Sequence, residues 1–170
     1  MWAMTAAALP TTIRIRTGFK AGDIPAIALM HSANYAEPHG FDGAGLEAYV
    51  SRSMGELYAD PDRGRLWIAE AEDGTVTGSI GITLESETEA RLRWYIMRAD
   101  ARGQGLGRRM IEEAVEWTRA QGRSRLWLTT IAGLDASAHL YRSVGFEIFH
   151  EQDGNSWGGP AREQHWEMPL

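Results

Sequence analysis

The 170 residues are 44% hydrophobic and 24% charged, enough chain for one well-buried core and too little for two comfortable ones. The 17 basic residues, all arginine except Lys20, face 23 acidic ones, and the net charge of −6 argues against a general nucleic-acid binder. There are no cysteines, so disulfides, thiolate metal sites and a cysteine nucleophile are excluded.

The opening residues, MWAMTAAALP, lack the basic start and sustained apolar run of a signal peptide. Residues 1–10 are expected to be flexible, ahead of a single domain over 11–170. Nowhere do about 18 apolar residues run together, so no membrane helix is expected and a cytoplasmic protein is the default. TTIRIRT (11–17) alternates like an edge strand. AGDIPAIALMHSANYA (21–36) reads as a helix with Asp23 as N-cap, and LEAYVSRSMGELYA (46–59) as a second, separated by the break EPHGFDGAG. RLWIAEAE and TVTGSIGITLE flank Asp73-Gly74, a strong hairpin signal, and EARLRWYIM follows as a third strand of the meander. A helix over 105–121 carries Leu106, Met110, Ile111, Ala114, Val115 and Thr118 at helical spacing and ends at Gly122. SRLWLTTI is apolar enough for a central strand covered on both faces. DASAHLYRSVG predicts a short helix with Asp135 as N-cap. FEIFHE and EQHWEMPL are the last strands, giving β-α-α-β-β-β-α-β-α-β-β, an α/β domain with a mixed sheet.

RADARGQGLGRRMIEEAVEW (98–117) carries the chemistry. Gly103, Gly105 and Gly107 remove side chains that would hold a ligand off the backbone. The helix behind them offers free N–H groups and the positive end of its dipole, an anion site reinforced by Arg98, Arg102, Arg108 and Arg109. The spacing satisfies neither the Walker loop nor the dinucleotide fingerprint. The alternative is a glycine-rich turn with a solvated arginine face.

The run Arg102-Gly103-Gln104-Gly105-Leu106-Gly107, with Leu140-Tyr141 and Gly145-Phe146 further on, resembles the GNAT superfamily of N-acetyltransferases. That family's pyrophosphate motif is Arg or Gln, any two residues, Gly, any residue, then Gly or Ala. A closer similarity is to the acetyltransferase domains attached to MarR-type regulators, carried by RLRWYIM, RLWLTT and the ending WGGPAREQHWEMPL. The DNA-binding half of such regulators is absent from this sequence. The resemblance implies a GNAT fold, with a mixed, mostly antiparallel seven-stranded sheet flanked by four helices. It also implies acetyl-CoA as co-substrate, lying in a splay between the fourth and fifth strands. Tyr95, Ile96 and Met97 would border pantetheine and thioester, with Met97 N–H polarising the carbonyl. Arg102, Gly103, Gln104, Gly105, Leu106, Gly107 and Arg108 would hold the pyrophosphate. The family often has an asparagine where this chain has Leu134.

The implied reaction is direct attack by a primary amine of a small molecule, with Tyr141 as proton donor to the leaving thiolate. Candidate bases are Glu37, His31, Glu85 and His150. Glu37 is chosen because the break holding Glu37 and His31 overhangs the acceptor side. His31, Tyr35 and Trp157 are expected to border the acceptor. Strict alternation puts Arg91, Arg93, Tyr95 and Met97 on one face of the fourth strand and Leu92, Trp94 and Ile96 on the other. Arg93 would then meet a substrate carboxylate, as in an amino acid, or pair internally with Glu85 or Glu87. His39, His139 and His165 have no partners at metal-ligand spacing, so no metal is expected. A non-catalytic acyl-CoA sensor and a peptide or protein acetyltransferase stay open as alternatives. Exposed tryptophans would hint at a homodimer.

Overall fold

A computed structural model of the protein describes residues 12–170; the segment expected to be flexible over 1–10 lies outside the described residues. The strands are β1 (Ile13–Thr17), β2 (Gly64–Ala71), β3 (Val76–Leu84), β4 (Glu89–Met97), β5 (Arg125–Ile131), β6 (Glu147–Gly154) and β7 (Ala161–Pro169). They form a single sheet in the order β1-β2-β3-β4-β5-β7-β6, with β4–β5 the parallel pair and the rest antiparallel. The helices are α1 (Asp23–His31), the single turn α2 (Glu37–His39), α3 (Gly43–Ala59), α4 (Leu106–Ala120) and α5 (Asp135–Val144). This is the mixed, mostly antiparallel α/β architecture with four full helices, α1, α3, α4 and α5. No helix among the described residues is long and apolar enough to cross a membrane.

Each face of the sheet has its own core. Met110, Ile111, Ala114 and Val115, the apolar stripe of α4, pack with Tyr141 of α5 against Leu92, Leu126, Leu128 and Trp166. On the other face, Ile27 of α1 and Val50, Met54 and Leu57 of α3 cover Ile68, Trp94 and Ile96. The Asp73-Gly74 turn forms as expected, with Gly74 at φ 87° and its N–H donating to Ala71 O.

Local chemistry moved several boundaries. The first helix is not continuous to residue 36: α1 ends at His31 and Ser32–Ala36 is wound as a π-helix. Ser32 Oγ donates to Leu29 O at 3.1 Å and Asn34 Nδ2 to Met30 O at 2.7 Å, side chains competing for carbonyls that a regular helix would use. Asp23 is not the N-cap; Gly22 is, and the Asp23 carboxylate instead pairs with Arg16 and accepts from Lys20 N–H. Asp135 likewise is the first residue of α5 rather than its cap, which is Leu134. Helix α3 begins at Gly43, ahead of the expected Leu46, because Asp42 caps it by accepting from Gly45 N–H at 3.0 Å.

Strand β5 is central but not covered on both faces. Leu126 and Leu128 are buried, whereas Trp127 and Thr129 are half-buried on the open side, and Trp127 carries the Arg91 guanidinium 4.7 Å over its ring. The tryptophans among the described residues are all buried or half-buried, so the hint they gave of a homodimer loses its basis.

The strict alternation expected for β4 also fails. Gly81 of β3 opposes Arg93 and Ser79 opposes Ile96, so Trp94 and Tyr95 face a single residue of β3. This is a β-bulge at Trp94, whose φ of 52° makes it the one positive-φ non-glycine among the described residues. Before the bulge Leu92 points to the α4–α5 core; after it Trp94 and Ile96 point to the α1–α3 core. Arg91 and Arg93 therefore share a side with Trp94 and Ile96, while Tyr95 and Met97 pack toward α4 and α5. Three interactions hold the bulge. Ser79 Oγ donates to Trp94 O at 2.6 Å, Trp94 Nε1 donates to Ser53 Oγ on α3 at 3.0 Å, and Gly81 leaves room for the indole.

Candidate active site

Strands β4 and β5 pair only through Glu89–Arg91 and Arg125–Trp127. Beyond Arg91 the ladder ends and a gap opens between them. Arg98 N–H donates to Thr77 O on β3 at 2.8 Å. Since N–H directions alternate along a strand, Met97 N–H turns the other way, toward the gap.

A cleft of about 740 Å³ begins there, walled by Tyr95, Ile96 and Met97, by the start of α4, by Asn34 and Tyr35 of the π segment, and by the first turns of α5. All the residues expected to hold a cofactor line it except Gln104. Leu134, standing where the family often has asparagine, also lines it, so that wall is apolar. At its mouth the consecutive N–H groups from Gly103 to Arg108 meet no acceptor among the described residues. The first helical bond of α4 is Arg109 N–H to Gly105 O at 3.0 Å, and the cap, Gly105, has no side chain to contribute. Free amides at the positive end of a helix dipole make an anion site.

The three glycines there serve two ends. Gly103 and Gly105 each stand at φ 76°, a conformation that side chains disfavour. Gly107 has a different reason: a Cβ would fall 2.5 Å from Tyr95 Oη. It makes room for a phenol, not for a ligand as the sequence suggested.

The neighbouring arginines are less free than their count implied. Arg98 pairs with Asp100, Arg108 with Glu112 at 2.8 Å and Arg109 with Glu113 at 3.1 Å. These exposed pairs contribute only about 0.2–1 kcal/mol each, so an arriving phosphate competes with them readily. Arg102 is committed differently. Its Nε donates to Met97 O and its Nη2 to Asn34 Oδ1, both at 3.1 Å, tying the end of β4 to the π segment.

A second pocket, of about 450 Å³, lies on the other side of the bulge. His31, Leu46, Tyr49, Arg91, Arg93, Trp94 and Trp157 line it. Tyr35 joins the two spaces, since it lines the first and stacks edge-on against Trp157 at 5.6 Å.

A family model described as "Acetyltransferase (GNAT) family" matches residues 30–146, from the last turn of α1 through both landmarks, the α4 glycines and Tyr141. The chain belongs to the GNAT acetyltransferases. Among curated relatives, it is 32% identical over 96 residues to the uncharacterized N-acetyltransferase YjgM of Escherichia coli, covering 54% of this chain and 56% of that protein. The match thus spans only about half the length of that relative. Among solved structures, an acetyltransferase from Streptococcus agalactiae superposes with a TM-score of 0.73 at 22% identity, covering 93% of this chain and 98% of that one. The yncA protein of Salmonella typhimurium, solved with its cofactor acetyl-CoA, superposes with a TM-score of 0.67 at 20% identity, covering 94% and 95%.

Within this GNAT domain the remaining expected site residues fall into place unevenly. Tyr141 is buried on α5, its ring 6.0 Å from that of Tyr95 and also against Phe146 and Trp166; it lines neither space itself and sits behind Tyr95 and Leu140, which line the first. Burial raises its pKa well above the ordinary tyrosine value. Burial also pushes Tyr35 up to about 12. Glu37 is exposed on the α2 turn and lines neither space, although the next two residues, Pro38 and His39, line the first. The base role expected of it has no support in this geometry. His31 is not in a break but at the buried end of α1, its Nδ1–H donating to Ile27 O at 2.8 Å. That fixes the tautomer and leaves Nε2 as a lone-pair acceptor, while burial lowers the pKa to about 4. Glu85 is exposed and bonded to Thr83, and His150 lies on the edge strand β6 beside Gln152, both away from the two spaces.

Arg93 has no carboxylate within salt-bridge reach among the described residues, so the internal pair with Glu85 or Glu87 does not form. Instead its Nη2 donates to Tyr49 Oη at 2.9 Å and its guanidinium lies over Trp94. Sequence reasoning missed Tyr49 and Arg91. Arg91 was legible as the second cation of R-L-R; Tyr49 had no local signal.

Proposed function

We propose that the protein transfers the acetyl group of acetyl-CoA to the primary amine of a small molecule by direct attack in a ternary complex. The observation that carries this is the adjacency of two unlike spaces. One has a mouth of unpaired amides fit for a diphosphate, and the other, across the β4 bulge, is of amine-acceptor size. Hydrogen bonds to a charged group contribute about 1.5–3 kcal/mol each. A few such amides therefore supply much of the roughly 8 kcal/mol that micromolar binding needs.

Bound there, acetyl-CoA supplies an activated thioester carbonyl. Met97 N–H, turned into the gap, donates to the carbonyl oxygen. Arg102 donates to Met97 O and so fixes the following peptide, Met97–Arg98, anchoring the end of β4 beside the donor. Tyr141, a neutral phenol, returns a proton to the departing sulfur, whose basicity rises as the carbon–sulfur bond breaks.

For the acceptor amine we favour His31 over Glu37. A pKa near 4 lies roughly four units below that of an ordinary amine, a mismatch of about 5 kcal/mol for storing a proton. His31 Nε2 therefore orients the neutral amine, and the proton passes to water. Tyr35 and Trp157 wall the junction, and Arg93 reads an anionic group on the acceptor. Within the family we place the chain beside the acetyltransferase domains of MarR-type regulators, on the shared segments RLRWYIM and WGGPAREQHWEMPL.

The test is release of free thiol from acetyl-CoA across a panel of primary amines. Turnover with a small amine supports the reading. Tight binding of acetyl-CoA without thiol release for any amine makes the protein an acyl-CoA sensor, and turnover confined to peptides overturns the small-molecule acceptor.

A further inference from the structure

The second pocket has an unusual charge inventory. Arg91 and Arg93 line it, and no aspartate or glutamate does. Neither guanidinium has a carboxylate within salt-bridge reach among the described residues, whereas Arg16, Arg125 and Arg162 each have two. Arg91 is the more telling of the two. Its Nε is buried and donates to nothing, its Nη2 donates to Thr129 Oγ1 at 3.1 Å, and its plane lies on Trp127. Desolvation, with the neighbouring Arg93 charge, lowers its pKa from the ordinary arginine value, and Tyr49 and the more distant Glu85 only partly oppose this.

The two side chains stack on different rings, although the Tyr49 hydroxyl is near both. Arg91 leans toward β5, onto Trp127 and Thr129, while Arg93 leans toward α3, onto Tyr49 and Trp94. Guanidiniums held on separate rings suit two anions, one for each fork, better than one group chelated by both. A single carboxylate would leave one partly buried cation uncompensated. The volume of about 450 Å³ is at the small end of small-molecule sites, which run roughly 300–1,000 Å³.

Resting on the acetyltransferase reading, we propose that the acceptor is an α-amino acid carrying a second anionic group on its side chain. Arg91 and Arg93 each take one anion through their guanidinium forks. The apolar wall of Leu46, Val50 and Trp157 packs the short carbon chain between them. His31 Nε2 accepts from the amine.

The experiment compares isosteric acceptors on the intact protein: glutamate against glutamine, aspartate against asparagine, and 2-amino-4-phosphonobutyrate to separate carboxylate from phosphonate as the second anion. Thiol release gives kcat/KM, and thermal shift in the presence of coenzyme A gives binding without chemistry. The expected result is a preference of at least about 30-fold for the dianion over its neutral isostere, the scale on which one buried charged partner is read. Arg91→Met should erase that preference while leaving KM for acetyl-CoA unchanged, and Arg91→Lys should restore it only in part. Equal turnover of glutamate and glutamine overturns the proposal and leaves the acetyltransferase reading intact. If no amine releases thiol, the acetyltransferase reading falls. In that case a dianion-specific thermal shift lost in Arg91→Met still supports the anion site, and no such shift overturns it. Should Arg91→Met fold poorly, Arg93→Met carries the same comparison.

Discussion

Replacing Gly81 by alanine tests whether the bulge in β4 organises both spaces. The new Cβ would fall 2.3 Å from Cε3 and 2.7 Å from Cζ3 of the Trp94 indole. The ring cannot retreat cheaply: its Nε1 is bonded to Ser53 Oγ at 3.0 Å, the Arg93 guanidinium covers it at 4.8 Å, and its own backbone stands at φ 52°. Overpacking of this kind costs about 1–3 kcal/mol, and losing the indole–hydroxyl bond adds about 1 kcal/mol. A loss of roughly 2–4 kcal/mol lowers Tm by about 5–15 °C in a domain of this size. Thermal unfolding followed by circular dichroism gives the first number, and thiol release at saturating acetyl-CoA gives the second, expected to fall at least about tenfold because the displaced indole drags Arg93 and Tyr95 with it. Gly55→Ala is the control. It sits inside α3 with nothing within 4 Å of the added methyl, so it should stabilise by roughly 0.5–1 kcal/mol. A Gly81→Ala protein melting within about 2 °C of the parent with full activity would refute the account of the bulge.

Three further outcomes follow from the site. Gly105→Asp should abolish coenzyme A binding in calorimetry, since it adds an anion beside the free amides and a side chain at φ 76°; retained micromolar affinity would put the diphosphate elsewhere. Tyr141→Phe should lower kcat by about 10²-fold or more with KM for acetyl-CoA nearly unchanged, and a parallel loss in both would contradict the proton-donor role. His31, with its folded pKa lowered to about 4 from an ordinary 6.5, contributes stability that is present above about pH 6.5 and lost as pH falls toward 4, up to about 3 kcal/mol. Urea unfolding at pH 7 and pH 4.5 should therefore show a smaller acid loss in His31→Gln than in the parent, and parallel losses would mean the imidazole is not held neutral by burial.

The parts of the architecture that rest on local pattern were legible in the chain: strand alternation in β1, the Asp73-Gly74 hairpin, the apolar stripe of α4 and the glycines before it. What escaped were features decided by partners far along the sequence. Nothing near Trp94 announces a positive φ, because the cause is Gly81 and Ser53 on other elements. The usable signal was on β3, where Gly78 and Gly81 interrupt a strand, a mark of close approach or a bulge. Missing it grouped Arg91 and Arg93 with Tyr95 and Met97 on one face, whereas the bulge sends the two pairs to opposite faces. The π segment escaped because it depends on which carbonyls Ser32 and Asn34 reach. Glu37 looked better than His31 as a base because burial, which isolates one and exposes the other, cannot be read from spacing. Arg102, expected at the pyrophosphate, lines the cleft and also ties β4 to the π segment, a link that spacing alone does not show.

The short parallel ladder between β4 and β5 also has a mechanical consequence. Arg125 clamps its closed end, bonding Glu89 on one side and Glu167 on the other, so the sheet is two leaves sewn at one end of a spine. On the acetyl-CoA binding proposed above, the amides of the bound molecule would supply the missing stitches. Amide exchange along the free edges of Met97 and the far half of β5 should then slow together when the gap is filled, as the two leaves come to breathe as one.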